Sequence, residues 1–175
     1  MELEVRLLAE RASVRRISLL GLLEVIPPDF WPRREPGEEW TARNHLEHVA
    51  TADALLRETI DAVVRQADLE VSYIERRAQL MDAAAGVSLL ELRDRMETER
   101  AATIASLAGV DALLLDELIL IPGSVDSFGQ GVALPLRTVV TAWAEHDTGH
   151  EIAIRTAITT HPDAASLAAA ARFRR

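Results

Sequence analysis

The sequence predicts an all-α protein, a four-helix bundle within a single domain that spans residues 1–175. Leu, Val and Ile recur at three- and four-residue spacing in four long segments, which is the pattern of amphipathic helices. Stretches with proline or glycine separate these segments, and the composition of 49% hydrophobic and 27% charged residues is that of a globular protein. Four helices that each carry an apolar face can bury those faces together, and a bundle is the simplest arrangement that does so.

The first two helices have clear boundaries in the sequence. The first is predicted over residues 3–25, and the four prolines within residues 27–36 end it because proline cannot continue a helix. The second begins near Thr41, a good amino-terminal cap, and runs at least to Gln66. The stretch 67–86 is less regular, and its pattern does not predict a structure for it.

The third helix starts with a capping box, in which Ser88 and Glu91 satisfy each other's backbone groups. Gly109 suits the position just after its last turn. Residues 110–134 contain an apolar piece followed by a loop rich in Gly and Ser. Hydrophobic pattern alone does not decide whether the apolar piece is a short helix or a strand.

The fourth helix is predicted to begin around Pro135, which suits a first helical turn, and to continue to about Thr160. An Ala-rich segment, 164–174, is predicted to form a short helix at the end of the chain. The long loops before the second and fourth helices are of a length often associated with function, and they could cover one end of the bundle.

Composition and charge exclude several classes of protein. The chain has no cysteine, so a transition-metal site must use imidazole and carboxylate ligands. A formal net charge of −9 argues against broad nucleic-acid binding, which depends on a basic surface. No apolar run approaches the roughly 18 residues of a membrane-spanning helix, so we expect no membrane partner. The acidic start of the chain lacks the basic and apolar regions of a signal peptide, and we therefore expect a cytoplasmic protein.

Four of the five histidines form two pairs on predicted helix faces. Residues three or four apart project from the same side of a helix, so each pair lies within one apolar stripe. Burying imidazoles costs free energy unless each one has a partner, and a divalent metal is a strong partner for several at once. The stripes are His45, His48, Ala52, Leu55, Thr59 and Val63 in the second helix, and Val139, Trp143, His146, His150, Ala153 and Ala157 in the fourth.

Three metal architectures compete for these histidines. The segment HDTGH has the spacing of the zinc-protease motif HExxH, but Asp replaces the Glu that activates water. A di-iron carboxylate bundle needs two Glu-x-x-His motifs, and this chain has none. The third architecture is a mononuclear site with one histidine from the second helix and two from the fourth, leaving a position open as in catalytic zinc sites.

Two motifs resemble those of the DinB/YfiT-like metalloenzymes. WTARNHLEH at 40–48, followed by ATAD, is similar to that family's W-[ST]-x-x-[ED]-x-L-x-H pattern, and EHDTGHEI at 145–152 is similar to its H-D-x-x-H motif. The resemblance implies His48, His146 and His150 as ligands of a divalent metal such as zinc, nickel or iron. It also implies an up-down-down-up bundle and a homodimer. The sequence departs from the pattern at Asn44, where an acid is frequent, and at His45, an additional histidine.

Three neighbouring residues are candidates for the surroundings of the metal. His45 is predicted to support a ligand or line the pocket, although it could replace His48 as a ligand. Asp147 could orient the imidazole of His48 or form a salt bridge, and Trp143 could wall the site.

Two classes of function follow from the resemblance. The first is a small metal-dependent enzyme acting on a small-molecule substrate, in which the metal lowers the pKa of water or of a low-molecular-weight thiol. Some members of the family are thiol-dependent transferases or isomerases, and others suggest hydrolysis. The alternative is a non-catalytic metal-binding or stress-response bundle that acts through association.

Overall fold

The four long helices expected from the sequence are present, joined by one further helix and a β-hairpin. The computed structural model describes residues 3–67, 73–125 and 131–160. Its helices are α1 (Leu3–Val25), α2 (Ala42–Arg65), α3 (Tyr73–Ala84), α4 (Leu89–Ala108) and α5 (Leu136–Thr159). Short 3-10 turns lie at Pro28–Phe30 and Ala112–Asp116, and the strands are β1 (Leu118–Val125) and β2 (Gly131–Pro135).

Capping boxes fix the starts of α2 and α4. The Ser88 hydroxyl accepts from the Glu91 backbone N–H, and the Ser88 N–H donates to the Glu91 carboxylate at 2.9 Å, as predicted. Thr41 and Asn44 form the same reciprocal pair, with both backbone contacts at 3.1 Å. Asn44 therefore makes the capping contacts at the position where an acid is frequent in the family pattern.

The stretch 67–86, whose structure the sequence pattern left open, contains α3. Its buried Leu80 packs in a small cluster with Ala54 and Leu55 of α2. A three-turn helix that buries so few apolar side chains has a weak periodic signal, and its stability comes from packing on α2.

Residues 110–134 contain both of the structures that the pattern left open. A 3-10 turn comes first, and β1 then pairs antiparallel with β2, from Leu118 opposite Pro135 to Ile121 opposite Val132. Pro135 ends β2 and caps α5, so the helix itself begins at Leu136. The predicted helix at 164–174 lies outside the described residues.

Two buried apolar clusters fill the two ends of the bundle, and each draws on all four long helices. The first, where α1 and α5 end and α2 and α4 begin, includes Leu19, Leu46, Leu92 and Ile154. The second, at the opposite end, includes Val5, Ile60, Leu107 and Val140. Hence α1 and α5 run one way and α2 and α4 the other, which confirms the up-down-down-up topology. Among the described residues, no helix combines the length and apolar character needed to cross a membrane.

Candidate metal centre

Three histidine side chains converge between α2 and α5. Nε2 of His146 lies 3.0 Å from Nε2 of His48 and 3.2 Å from Nε2 of His150. His48 is buried on α2, while His146 and His150 are half-buried one turn apart on α5. The structure therefore brings together the three residues that the family resemblance implied, and it gives them the spacing of a possible metal site.

The separations between these nitrogens fit a transition metal. Imidazole binds zinc at about 2.0–2.1 Å, so two such nitrogens on one ion lie about 3.3 Å apart at a tetrahedral angle and about 2.9 Å apart at a right angle. The observed 3.0 and 3.2 Å fall within that range. A neutral ring nitrogen carries either a proton or a lone pair, so Nε2 of His146 cannot donate to one neighbour and accept from the other. A cation can take a lone pair from all three rings.

The rings of His48 and His150 are held in the uncharged form that a metal ligand requires. Burial lowers the pKa of His48 to about 3, with further contributions from His146, Arg77 and His45. Burial also lowers the pKa of His150 well below its usual value, and the neighbouring histidines add to this effect. At neutral pH these two residues can offer lone pairs without first losing a proton.

His45 contacts the histidine triad from behind. Its Nδ1 lies 3.0 Å from Nδ1 of His150, on the side of that ring away from His146. One proton shared between these two nitrogens leaves Nε2 of His150 free to face the other histidines. The geometry accordingly fits the supporting role for His45, with His48 in the triad.

Trp40 covers the same rings from the loop before α2. Its ring centroid lies 5.2 Å from that of His45, 5.1 Å from that of His48 and 6.2 Å from that of His150. In the sequence, Trp40 was noted only as the first residue of the motif at 40–48. Its position directly before the cap residue Thr41 was the available signal, because a cap holds the preceding residue over the first turn.

Two cavities border the histidines. A cavity of about 140 Å³ is lined in part by His146 and Trp143, so Trp143 lies beside the triad on this side. The other, of about 220 Å³, reaches His45 and is lined by Glu35, Glu38, Trp40, Ala153 and Ala157. A larger cavity of about 340 Å³ lies at the far end of α2 against β1, away from the histidines. This cavity is not a candidate active site, although it is larger, because none of its lining residues belongs to the histidine cluster.

Asp147 belongs to a buried layer of four charged residues between the two apolar clusters. The layer takes one residue from each long helix: Arg16, Asp53, Arg100 and Asp147. Arg16 contacts Asp147 at 2.7 Å and Asp53 at 2.8 Å, and Arg100 contacts Asp53 at 2.9 Å and Asp147 at 3.2 Å. Of the two roles considered for Asp147, the structure therefore shows the salt bridge.

The carboxylate of Asp147 also lies near a member of the triad, with Oδ1 3.9 Å from Nδ1 of His146. This distance is too long for a hydrogen bond. Burial by itself would raise the pKa of Asp147, but His146 and the guanidiniums of Arg16 and Arg100 outweigh it and hold that pKa well below its usual value. Asp147 therefore occupies the centre of the bundle as an anion, and the histidines lie beside it in the α2–α5 groove.

Sequence reasoning missed the other three members of the layer. The available signal was the position of Arg16 within the apolar series of α1, since the buried residues of that helix recur every three or four positions. A charged residue inside such a series predicts a buried partner of opposite charge. The members of the series are Val5, Ala9, Ala12, Arg16, Leu19 and Leu22.

Comparison with known proteins agrees with the fold and the motifs. The family profile described as DinB superfamily matches residues 13–152, which is well over half of the chain. The chain belongs to the DinB superfamily. All four histidines of the cluster lie within the matched part of this DinB-superfamily protein. No curated protein matches its sequence.

Solved structures with the same fold include a mycothiol-dependent maleylpyruvate isomerase, with a TM-score of 0.67 and 12% identity. A mutant of that isomerase, in which a histidine is replaced by alanine, gives a TM-score of 0.67 and 13% identity. In both cases the alignment covers 86% of this chain and 60% of the other. The DinB-superfamily chain thus spans 60% of the length of these structures, and at such low identity the likeness establishes the fold alone.

Proposed function

We propose that this protein is a thiol-dependent metalloenzyme in which His48, His146 and His150 hold one divalent transition metal. The observation that carries the proposal is the meeting of three Nε2 atoms at 3.0 and 3.2 Å, with no carboxylate among them. Three imidazoles with an open side are the ligand set of catalytic rather than structural zinc sites. Zinc, nickel and iron all suit this donor set.

The chain's own residues prepare the site for a small ligand. His45 holds the ring of His150 so that Nε2 faces inward. Trp40 covers the rings and excludes water on one side. The cavities beside His146 and His45 leave room for a substrate to approach from two directions.

A thiol cofactor is the finer part of the proposal. A metal bound by three histidines lowers the pKa of a thiol or water that reaches it, and so supplies a nucleophile near neutral pH. This chain has no cysteine, so a reacting sulfur must come from a small molecule. The mycothiol dependence named for the structurally similar isomerase supports this choice over hydrolysis, and the 60% coverage of that protein leaves its substrate open for this one.

Metal content and thiol binding test the proposal together. Protein purified without a histidine tag should contain about one transition-metal ion per chain by elemental analysis, and His48→Ala should lose it. Calorimetry with mycothiol, bacillithiol and glutathione should then give heat with the metal-loaded protein and none after chelation. Absence of metal in the unmodified protein would refute the metal site. Metal uptake without thiol binding would refute the thiol-dependent enzyme and favour hydrolysis or a non-catalytic role, which a panel of esters separates.

A further inference from the structure

The three histidines of the triad come from two helices. For two of them, the second ring nitrogen has no hydrogen-bond partner among the described residues. Metal-bound histidines usually donate their second ring nitrogen to a fixed partner, which sets the orientation of the ring. His150 has His45 for this purpose. Nδ1 of His48 and Nδ1 of His146 are buried and have no hydrogen-bond partner among the described residues. The meeting of His48 with His146 must therefore depend on how α2 and α5 are held relative to each other.

Asp53 of the buried layer joins these two helices through both of its carboxylate oxygens. Nε1 of Trp143, on α5, donates to Oδ1 of Asp53, on α2, at 3.0 Å. The same carboxylate pairs with Arg16 at 2.8 Å, and Arg16 in turn contacts Asp147 of α5 at 2.7 Å. Asp53 is fully buried. Oδ1 of Asp53 therefore contacts α5 directly, at Trp143, and Oδ2 is connected to α5 through the guanidinium of Arg16.

We call the contacts of Asp53 with Trp143 and Arg16 the tie. It lies close to the triad along both helices. Asp53 follows His48 by five residues on α2, and Trp143 precedes His146 by three on α5. At about 1.5 Å of rise per residue, both ends lie within about 8 Å of a ligand along the helix axis. A change in the α2–α5 spacing at Asp53 is therefore transmitted to the gap between His48 and His146.

We propose that Asp53 is a positioning residue of the metal centre: by holding α2 to α5 through Trp143 and Arg16, it sets the gap across which His48 meets His146 and His150. The inference rests on the proposed metal site, but it concerns residues that are not metal ligands. It assigns the buried charged layer a role in metal affinity as well as in folding.

Two variants weaken the tie at opposite ends. Asp53→Asn retains an acceptor oxygen and nearly the same volume but loses the charge that binds Arg16. Trp143→Phe removes the donated hydrogen bond and leaves the charges of the layer intact. Leu107→Ala is the matched control, because Leu107 is fully buried in the second apolar cluster and its truncation destabilises the bundle without removing a member of the tie.

Cobalt(II) titration of the full-length, metal-free proteins gives affinity and a visible spectrum that reports ligand geometry. We expect both tie variants to bind Co²⁺ about 10- to 100-fold more weakly than the unmodified protein, the range for residues that orient metal ligands, and to show a changed spectrum. Leu107→Ala should keep affinity and spectrum in its folded fraction. Tie variants that match the unmodified protein in both measurements would overturn the inference.

A metal-free measurement separates this inference from the proposed function. Nuclear Overhauser contacts between the ring protons of His48 and His146 should be present in the unmodified protein and in Leu107→Ala, and weaker in both tie variants. If the unmodified protein takes up no cobalt, the proposed function fails, and these contacts still decide the inference. If Asp53→Asn does not fold, Trp143→Phe decides it alone, and unchanged ring contacts in that variant would refute it.

Discussion

Nδ1 of His45 on α2 lies 3.0 Å from Nδ1 of His150 on α5, at the edge of the His150 ring that points away from His146. The contact turns Nε2 of His150 toward His146, from which it is separated by 3.2 Å. The additional histidine in the family motif thus contacts a member of the triad without belonging to it. This arrangement makes a clear prediction for the two histidines of α2.

His48→Ala and His45→Ala should affect metal binding differently. We expect His48→Ala to reduce metal content to background, because a ligand is lost. His45→Ala should retain one metal per chain with an affinity lowered by about 10- to 100-fold, since it removes only the partner of a ligand. Elemental analysis gives the stoichiometry, and competition with a chelator gives the affinity. Equal loss of metal in the two variants would mean that His45 is itself a ligand.

The stability of the metal-free protein should fall as the pH drops below about 6.5, the usual pKa of histidine. In the folded protein the pKa of His48 is about 3. Between about pH 6.5 and pH 3, His48 is therefore protonated in the unfolded chain but not in the folded protein. A lowered pKa contributes stability that is complete above about 6.5 and is lost as the pH falls toward 3, by up to about 1.4 kcal/mol per pH unit.

Urea unfolding of chelated protein between pH 7 and pH 5 measures this slope. The free energy of unfolding of His48→Leu should change less steeply with pH than that of the unmodified protein, because leucine takes up no proton on unfolding. A stability that does not change with pH in the unmodified protein would contradict the buried, neutral state of His48.

Arg16 and Arg11 of α1 both pair with acidic residues of α5, and replacing one or the other should have unequal effects. Arg16→Met leaves the two buried carboxylates of Asp53 and Asp147 with only the guanidinium of Arg100 as a cation, and we expect it to destabilise the protein by about 3–5 kcal/mol. Arg11, whose contact with Glu145 is 2.9 Å long but exposed, is the matched control. Arg11→Met should cost at most about 1 kcal/mol. Urea unfolding of both variants tests this, and similar losses would show that the layer is not a buried ion-pair network.

Thr41→Ala should destabilise the protein by about 1 kcal/mol, because the amino-terminal cap of α2 would be lost. Thr141 is the matched control, since its exposed hydroxyl only returns to the backbone of its own helix, at Arg137. Thr141→Ala should change the free energy of unfolding by less than about 0.5 kcal/mol. Thermal unfolding of both variants provides the comparison, and a neutral Thr41→Ala would argue against the Thr41–Asn44 capping box.

Local chemistry determined the helix boundaries and the ligand candidates. Prolines, caps and apolar spacing act within a few residues along the chain, so α1, the start of α2 at Thr41 and the start of α4 at Ser88 were predictable. The pairing of His146 with His150 followed from their spacing on one helix. The assignment of His48 required the family motif, because no local rule relates residues on different helices.

Only the tertiary structure decided which charges are buried together and which nitrogen faces which. Arg16, Asp53 and Arg100 lie far apart in sequence and meet Asp147 because the up-down-down-up topology brings the middle of all four long helices to one level. Likewise, β1 exists only because β2 satisfies its backbone groups, and His45 supports His150 only because α2 runs antiparallel to α5. The sequence by itself determined the four long helices and the histidines on them, since those depend on neighbours along the chain. The charged layer and the gap between the histidines depend on distances between helices, which packing alone sets.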